Sequence, residues 1–404
     1  MAQIRSFNNK KETVIKTAQR NTGNIDYRKV IAAHRLKIFY RTALILLVSA
    51  AVAALFYVQY TNRVYTDYQI ISSVKREEAQ NAISKNLGGS ILTYSNDGAS
   101  CMNTNGEQLW NQTYEMQNPL IDINHSVAAI ADYNGRDIYI VNHQGVLGKV
   151  EAGLPIRSIS VSETGMVAAV VDDSEITAIY LYASTGEEIA YFKTTMEKSG
   201  YPIAVSVSPN GEIVAVSYLY VDSGLIMSNV AFYNFGQVGQ NETDNYVSGY
   251  SYAEAVIPQI SFMDEDNSFA LADSRLVFYK GNQIPTSNQE ILLNEEIQSV
   301  YYDNNYVGLV YINLDGDTKY RMDVYSKAGK KILSQKFDME YTDIYFNKEC
   351  FVIYNESECE IYNLRGVRKF EGSFKEAVSA LLPTSAMNKY VAVSQGKIEI
   401  MELK

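Results

Sequence analysis

A chain of 404 residues that is 47% apolar, 12% aromatic and 20% charged has the material for a packed core and is not a disordered polymer. Its net charge of −11 hides a division: residues 1–41 hold ten Lys and Arg against Glu12 and Asp26, a balance of +8, which leaves −19 for the rest. An acidic remainder of that size excludes nucleic acid as its partner, because binding a polyanion needs a basic face.

In chain order, residues 1–41 read as a basic cytoplasmic tail. Each Lys or Arg near anionic headgroups contributes about 1 kcal/mol of attraction. Residues 42–60 follow as a predicted transmembrane helix: there is no charge from Thr42 to Gln59, over the length that a hydrocarbon core demands. Phe39 and Tyr40 mark one edge, and Phe56, Tyr57 and Tyr60 the other, as interfacial aromatics do. A cleaved signal peptide would need a shorter core and a clear small-residue site. Here the Ala-rich stretch 50–54 lies mid-run and bulky Leu55, Phe56 and Tyr57 follow it. The positive-inside rule places the tail in the cytoplasm and residues 61–404 outside, which predicts a single-pass cell-membrane protein.

Beyond residue 60, helical periodicity gives way to short β-branched and aromatic runs separated by Gly, Asn, Asp and Ser turns. A four-strand beat recurs about every 35–55 residues, the range of propeller blades. Units begin near Ala79, Leu120, Ile156, Pro202, Val256, Ile297, Thr342 and Glu376, and a Gly turn precedes the last strand at Gly106, Gly145, Gly186, Gly329 and Gly366. The expected fold is an all-β propeller of four-stranded blades, eight rather than seven, with a pair of β-sandwiches as the alternative. The last unit stops after three strands, so the segment near 68–74 is expected to supply its fourth and close the ring.

Tyr is abundant, at 32 residues against 14 Phe and 1 Trp. It suits half-buried pleated surfaces, and it also suits recognition faces. The stretch 218–252 is longer than a blade turn requires. Within it Tyr246, Tyr250 and Tyr252 are the candidate partner-binding residues, able to stack on a sugar or fill a protein pocket; the alternative is a solvated extension of two strands.

Catalytic and metal motifs are not found. His125 and His143 are the two histidines beyond residue 60, with no His-x-His, Cys-x-x-Cys or Gly-x-Ser-x-Gly spacing. The acidic turns Asp264–Asn267 and Asn313–Asp317 offer oxygens to a hard cation, but such residues are also ordinary turn formers. Cys101, Cys350 and Cys359 are odd in number and show no disulfide framework, which fits a bacterium with little oxidative folding. No cofactor and no metal is expected.

The run Asn105-Gly106-Glu-Gln-Leu-Trp110 resembles the turn of quinoprotein-like propellers, and Ser206-Val-Ser-Pro-Asn-Gly211 with Val214-Ala-Val216 is similar to WD40 blades. With Tyr94-Ser-Asn-Asp-Gly98, Ser199-Gly-Tyr-Pro202 and Val230-Ala-Phe-Tyr-Asn-Phe235, most of the chain resembles an uncharacterised family of membrane-anchored propellers from Gram-positive bacteria. That resemblance implies fold and topology and transfers no activity. Quinone enzymes need several Trp platforms, and Trp110 stands alone, so it reads as a blade-packing residue. The expected function is a non-catalytic, protein-binding scaffold of the cell envelope. A carbohydrate or envelope-polymer sensor, and a channel-mouth hydrolase or lyase, are the alternatives.

Overall fold

The computed structural model describes residues 27–61, 63–75, 82–173, 176–194, 199–314 and 316–404. It divides into two units, Met1–Arg63 and Val64–Lys404.

In the first unit a single helix runs Tyr27–Thr61. It takes in the last residues of the basic tail (Arg28, Arg35, Lys37 and Arg41), because no Pro or Gly lies between Tyr27 and Arg41. Its stretch His34–Gln59 is long and apolar enough to cross a membrane, and none of it is buried in the protein. Leu46, Leu55 and Phe56 are each about two-thirds exposed. Leaving such side chains in water costs about 1.5–3 kcal/mol apiece relative to burial. Residues 1–26 of the tail lie outside the described residues.

The second unit is an eight-bladed β-propeller: eight separate four-stranded antiparallel sheets. The inner strands of blades 1 to 7 are Ile83–Leu87, Pro119–Asn124, Ile156–Val161, Tyr201–Val207, Gln259–Phe262, Ile297–Tyr302 and Asp343–Asn347. Blade 8 is composite. Val378–Pro383, Lys389–Ser394 and Lys397–Leu403 come from the end of the chain, and Tyr68–Lys75 adds the outer strand, with Tyr68 opposite Leu403 and Lys75 opposite Lys397. The segment singled out at 68–74 falls within that strand; the unit start near Ala79 lies outside the described residues. Pairing the two termini removes the strand edges that an open ring would leave.

The five glycines of the third-to-fourth-strand turns all have positive φ, from +79° to +145°. Gly186 shows why no other residue serves: a Cβ there would collide with the Lys149 carbonyl of the preceding blade. Asn103, Asn142 and Asn363 tie three of these turns by accepting two backbone N–H bonds each on their side-chain oxygens.

The core is a series of interleaved clusters between neighbouring blades. Val127, Ile140 and Ile156 meet Val167 and Ala178 between blades 2 and 3, for example. Trp110 packs in this way, donating its Nε1–H to the Asn142 carbonyl of the next blade at 2.8 Å. All three cysteines are buried and free, and burial pushes the Cys101 thiol up to about 11 and Cys359 up to about 12. They are packing residues with inert thiols.

Candidate interaction surface and central channel

Strand direction gives the ring two distinct ends. The chain joins it at one, where Tyr65 and Thr66 donate N–H bonds to the carbonyls of Lys369 and Lys404 and the turn from first to second strand of each blade lies. The turns from second to third strand lie at the opposite end.

That opposite end carries exposed apolar side chains over four consecutive blades. Ile176 of blade 3, Val221, Leu225 and Ile226 of blade 4, Leu292 of blade 5 and Leu314 of blade 6 are all more than a third exposed, Leu314 as much as 85%. Its most prominent part is the hairpin of Ile213–Asp222 and Leu225–Asn234, ten residues per strand where most strands have five to seven. It turns through Ser223 and Gly224, both at positive φ, as a two-residue hairpin loop requires. Its neighbours stop short. Tyr201, the first residue of the inner strand, pairs with Leu219, and Ala253, the last of the outer strand, pairs with Met227. Tyr220–Asp222 and Leu225–Ile226 therefore project as a two-stranded ribbon.

The central channel holds a cavity of about 610 Å³, with a mainly polar lining. An inner strand has one edge without a partner strand, and its backbone groups need other bonds. In this ring the polar side chains supply them from blade to blade: Asp122 Oδ2 accepts from Val161 N–H at 2.7 Å, Ser160 Oγ from Val207 N–H at 3.1 Å, and Ser206 Oγ from Phe262 N–H at 3.1 Å. Surrounding protein raises the Asp122 carboxyl above its ordinary 3.8 against the lowering effect of its bonds with Val161, Ser160 and Ile123. Tyr302, half-way round the ring, opens to the channel at 44% exposure, and the surrounding protein and, further, the negative charge of Asp122 raise its hydroxyl. Lys85 of blade 1 reaches Asp343 of blade 7 at 3.5 Å. These groups hold one another and the strand edges.

The candidate tyrosines lie on the outer strand Tyr246–Ala253 of blade 4. Tyr250 and Tyr252 share the face turned toward blade 5, while a bulge between Tyr246 and Ser248 puts Tyr246 on the other face, against Tyr233. Tyr252 is buried and bonds the Tyr279 hydroxyl at 2.7 Å, Tyr250 is half-buried and donates to the Pro285 carbonyl at 3.3 Å, and only Tyr246 is exposed. They do not form a joint platform. The apolar hairpin tip lies in the same stretch, 218–252, and its signal was there to read: Val221 and Leu225-Ile226 flank a Ser-Gly turn.

The turn at Asp264 is filled from within the protein. Its Oδ1 accepts from Asp266 N–H, Asn267 N–H and Asn267 Nδ2, and its Oδ2 pairs with Lys327 at 2.6 Å. Burial would raise this carboxyl, but Lys327 and the three donors outweigh it and hold it below its ordinary value. In the second acidic turn, Asp315 lies outside the described residues, and Asn313 Nδ2 bonds both oxygens of Thr318. His125 and His143 sit in turns, and among the described residues no group of three or more His, Cys, Asp or Glu is placed to hold a metal.

Residues 61–403 match the model of a family of unknown function, DUF5711. The chain belongs to that family. Among solved structures, this DUF5711 chain is similar to Sqt1 from Chaetomium thermophilum (TM-score 0.54, 10% identity, 83% of this chain and 98% of that one). It is likewise similar to Sqt1 from Saccharomyces cerevisiae (0.53, 12%, 84% and 99%) and to BamB from Moraxella catarrhalis (0.50, 13%, 83% and 100%). At such identities the likeness is one of fold. No curated protein matches the sequence of this DUF5711 member.

Proposed function

We propose that this protein is a non-catalytic scaffold of the bacterial cell envelope, held by a single membrane-spanning helix and binding a protein partner through the opposite end of its propeller. The observation that carries the reading is the arc of exposed apolar side chains over blades 3 to 6, at Ile176, Val221, Leu225, Ile226, Leu292 and Leu314. Exposed apolar groups gathered on one face, among polar surroundings, mark interaction sites. The channel offers less for chemistry, since Asp122, Ser160 and Ser206 spend their oxygens on backbone N–H groups.

For location, the support is the helix His34–Gln59, none of which is buried among the described residues, together with the cationic tail before it. The N-terminus is then cytoplasmic and the propeller extracytoplasmic.

Two measurements test the reading. A reporter fused after Lys404 should be active only outside the cytoplasmic membrane, and a cytoplasmic signal overturns the location. Placing Asp at both Leu292 and Leu314 should cut co-purification of membrane-associated partners about tenfold while the fold persists. Unchanged co-purification overturns the assignment of the surface.

A further inference from the structure

We infer that the blade 4 hairpin tip is an insertion element, received on both its faces by a cleft in the partner whose floor is apolar and whose rim is basic. The inference rests on the protein-binding reading of the opposite end and says what the partner must look like.

Cross-strand pairs sort the side chains of the ribbon. Val221 faces Ile226 and Asp222 faces Leu225, while Tyr220 faces Met227 and Leu219 faces Ser228. Directly paired residues share a face and successive pairs alternate. Beyond the last rungs, one face therefore presents Val221 and Ile226, and the other Leu225 and Tyr220 with Asp222 at its edge. An ordinary blade hairpin has both faces covered, one by each adjacent blade, as Val167 and Ala169 pack toward blade 2 and Ala168 and Val170 toward blade 4. This one is apolar on both, beyond the point where its neighbours end, and Val221, Leu225 and Ile226 are 66%, 46% and 51% exposed. A flat partner covers one face of a ribbon; burying both takes a cleft, about 10 Å deep for three residues of strand.

Charge selects the occupant. Among the described residues, the charges at the tip are acidic: Asp222 at the turn and exposed Glu254, whose N–H bonds the Ile226 carbonyl. With about −19 on the chain beyond residue 41, a second copy would bring like charges together, and an anionic lipid surface would repel the tip. A protein cleft with Lys or Arg at its lip is attracted by both acids.

The test uses the full chain in the cells that make it, with a photoreactive residue placed in turn at Val221, Leu225 and Leu314. The inference expects Val221 and Leu225, on opposite faces, to crosslink the same partner protein, at peptides pairing apolar residues with nearby Lys or Arg. Asp222→Lys should lower the yield about tenfold and Asp222→Asn about threefold, with the urea midpoint unchanged. Crosslinks from only one of the two faces, adducts to lipid, or adducts to a second copy overturn it. If Leu314 captures a partner while Val221 and Leu225 capture none, the cleft is overturned and the scaffold reading stands. Silence at all three positions overturns both.

Discussion

The stretch 218–252 contains two regions of similar apolar content and opposite fate. Its later part, Tyr246–Ala253, looks in sequence like a recognition surface, yet Tyr252 ends up buried and Tyr250 half-buried against the next blade. Its earlier part, the hairpin tip, looks like two ordinary strands and ends up projecting into solvent. The comparison teaches that exposure in a propeller depends less on residue type than on where the flanking strands stop. An outer strand that runs full length packs its inward face on the next blade; a hairpin that outruns both neighbours packs nothing.

Mutations can break this comparison, and the largest effect is expected at the buried tyrosine. Tyr252→Ala removes a ring from the cluster with Phe232 and Tyr279 and should cost about 3–5 kcal/mol of stability, read as a drop in the urea midpoint. Tyr252→Phe keeps the ring but leaves the buried Tyr279 hydroxyl without its 2.7 Å partner, for about 1–3 kcal/mol. If either change is silent, this strand is not the packing element described above.

Next in size are the bonds between inner strands. Ser206→Ala leaves Phe262 N–H unpaired at the channel wall and should cost about 1 kcal/mol. Asp122→Asn keeps an oxygen for Val161 N–H and removes the charge. Because the folded carboxyl is raised above 3.8, its protonated form favours the fold. That contribution is full below the ordinary value and is lost as pH rises through the raised one. The midpoint of Asp122→Asn relative to the parent should therefore increase with pH through this window and then level off. A difference that falls with pH would show that the carboxylate is stabilised in the channel.

The smallest effects on stability belong to the exposed side. Tyr246→Ala should cost under about 1 kcal/mol, since its ring meets Tyr233 edge-on at 5.9 Å and is 43% exposed. Aspartates at both Leu225 and Ile226 should shift the midpoint by no more than about 0.5 kcal/mol, because surface positions tolerate substitution. A large loss of stability there would mean that the tip is packed in the folded protein after all.

Much of the fold was legible because its signals are local. Apolar alternation and left-handed glycines repeat once per blade, so the four-strand beat and the turns at Gly106, Gly186 and Gly366 could be read one after another. The charge-free run after Arg41 is equally local, since length and apolarity alone suffice for a helix able to cross a membrane. The role of Trp110 came from scarcity, as one indole cannot build a quinone site, and it packs between blades.

Burial and register are properties of neighbours, and only the tertiary structure decided them. Which tyrosines face the next blade depends on a pairing register that a one-residue slip would invert. That Asp122, Ser160 and Ser206 cap the next blade's backbone depends on ring closure, which brings inner strands 39 to 56 residues apart side by side. The projection of the hairpin depends on Tyr201 and Ala253 as the last rungs of two other strands. The sequence by itself determined the repeating unit and the apolar helix, because each is specified by residues close together in the chain. The candidate surface needed the assembled ring, because solvent exposure is set by atoms that the chain brings in from far away.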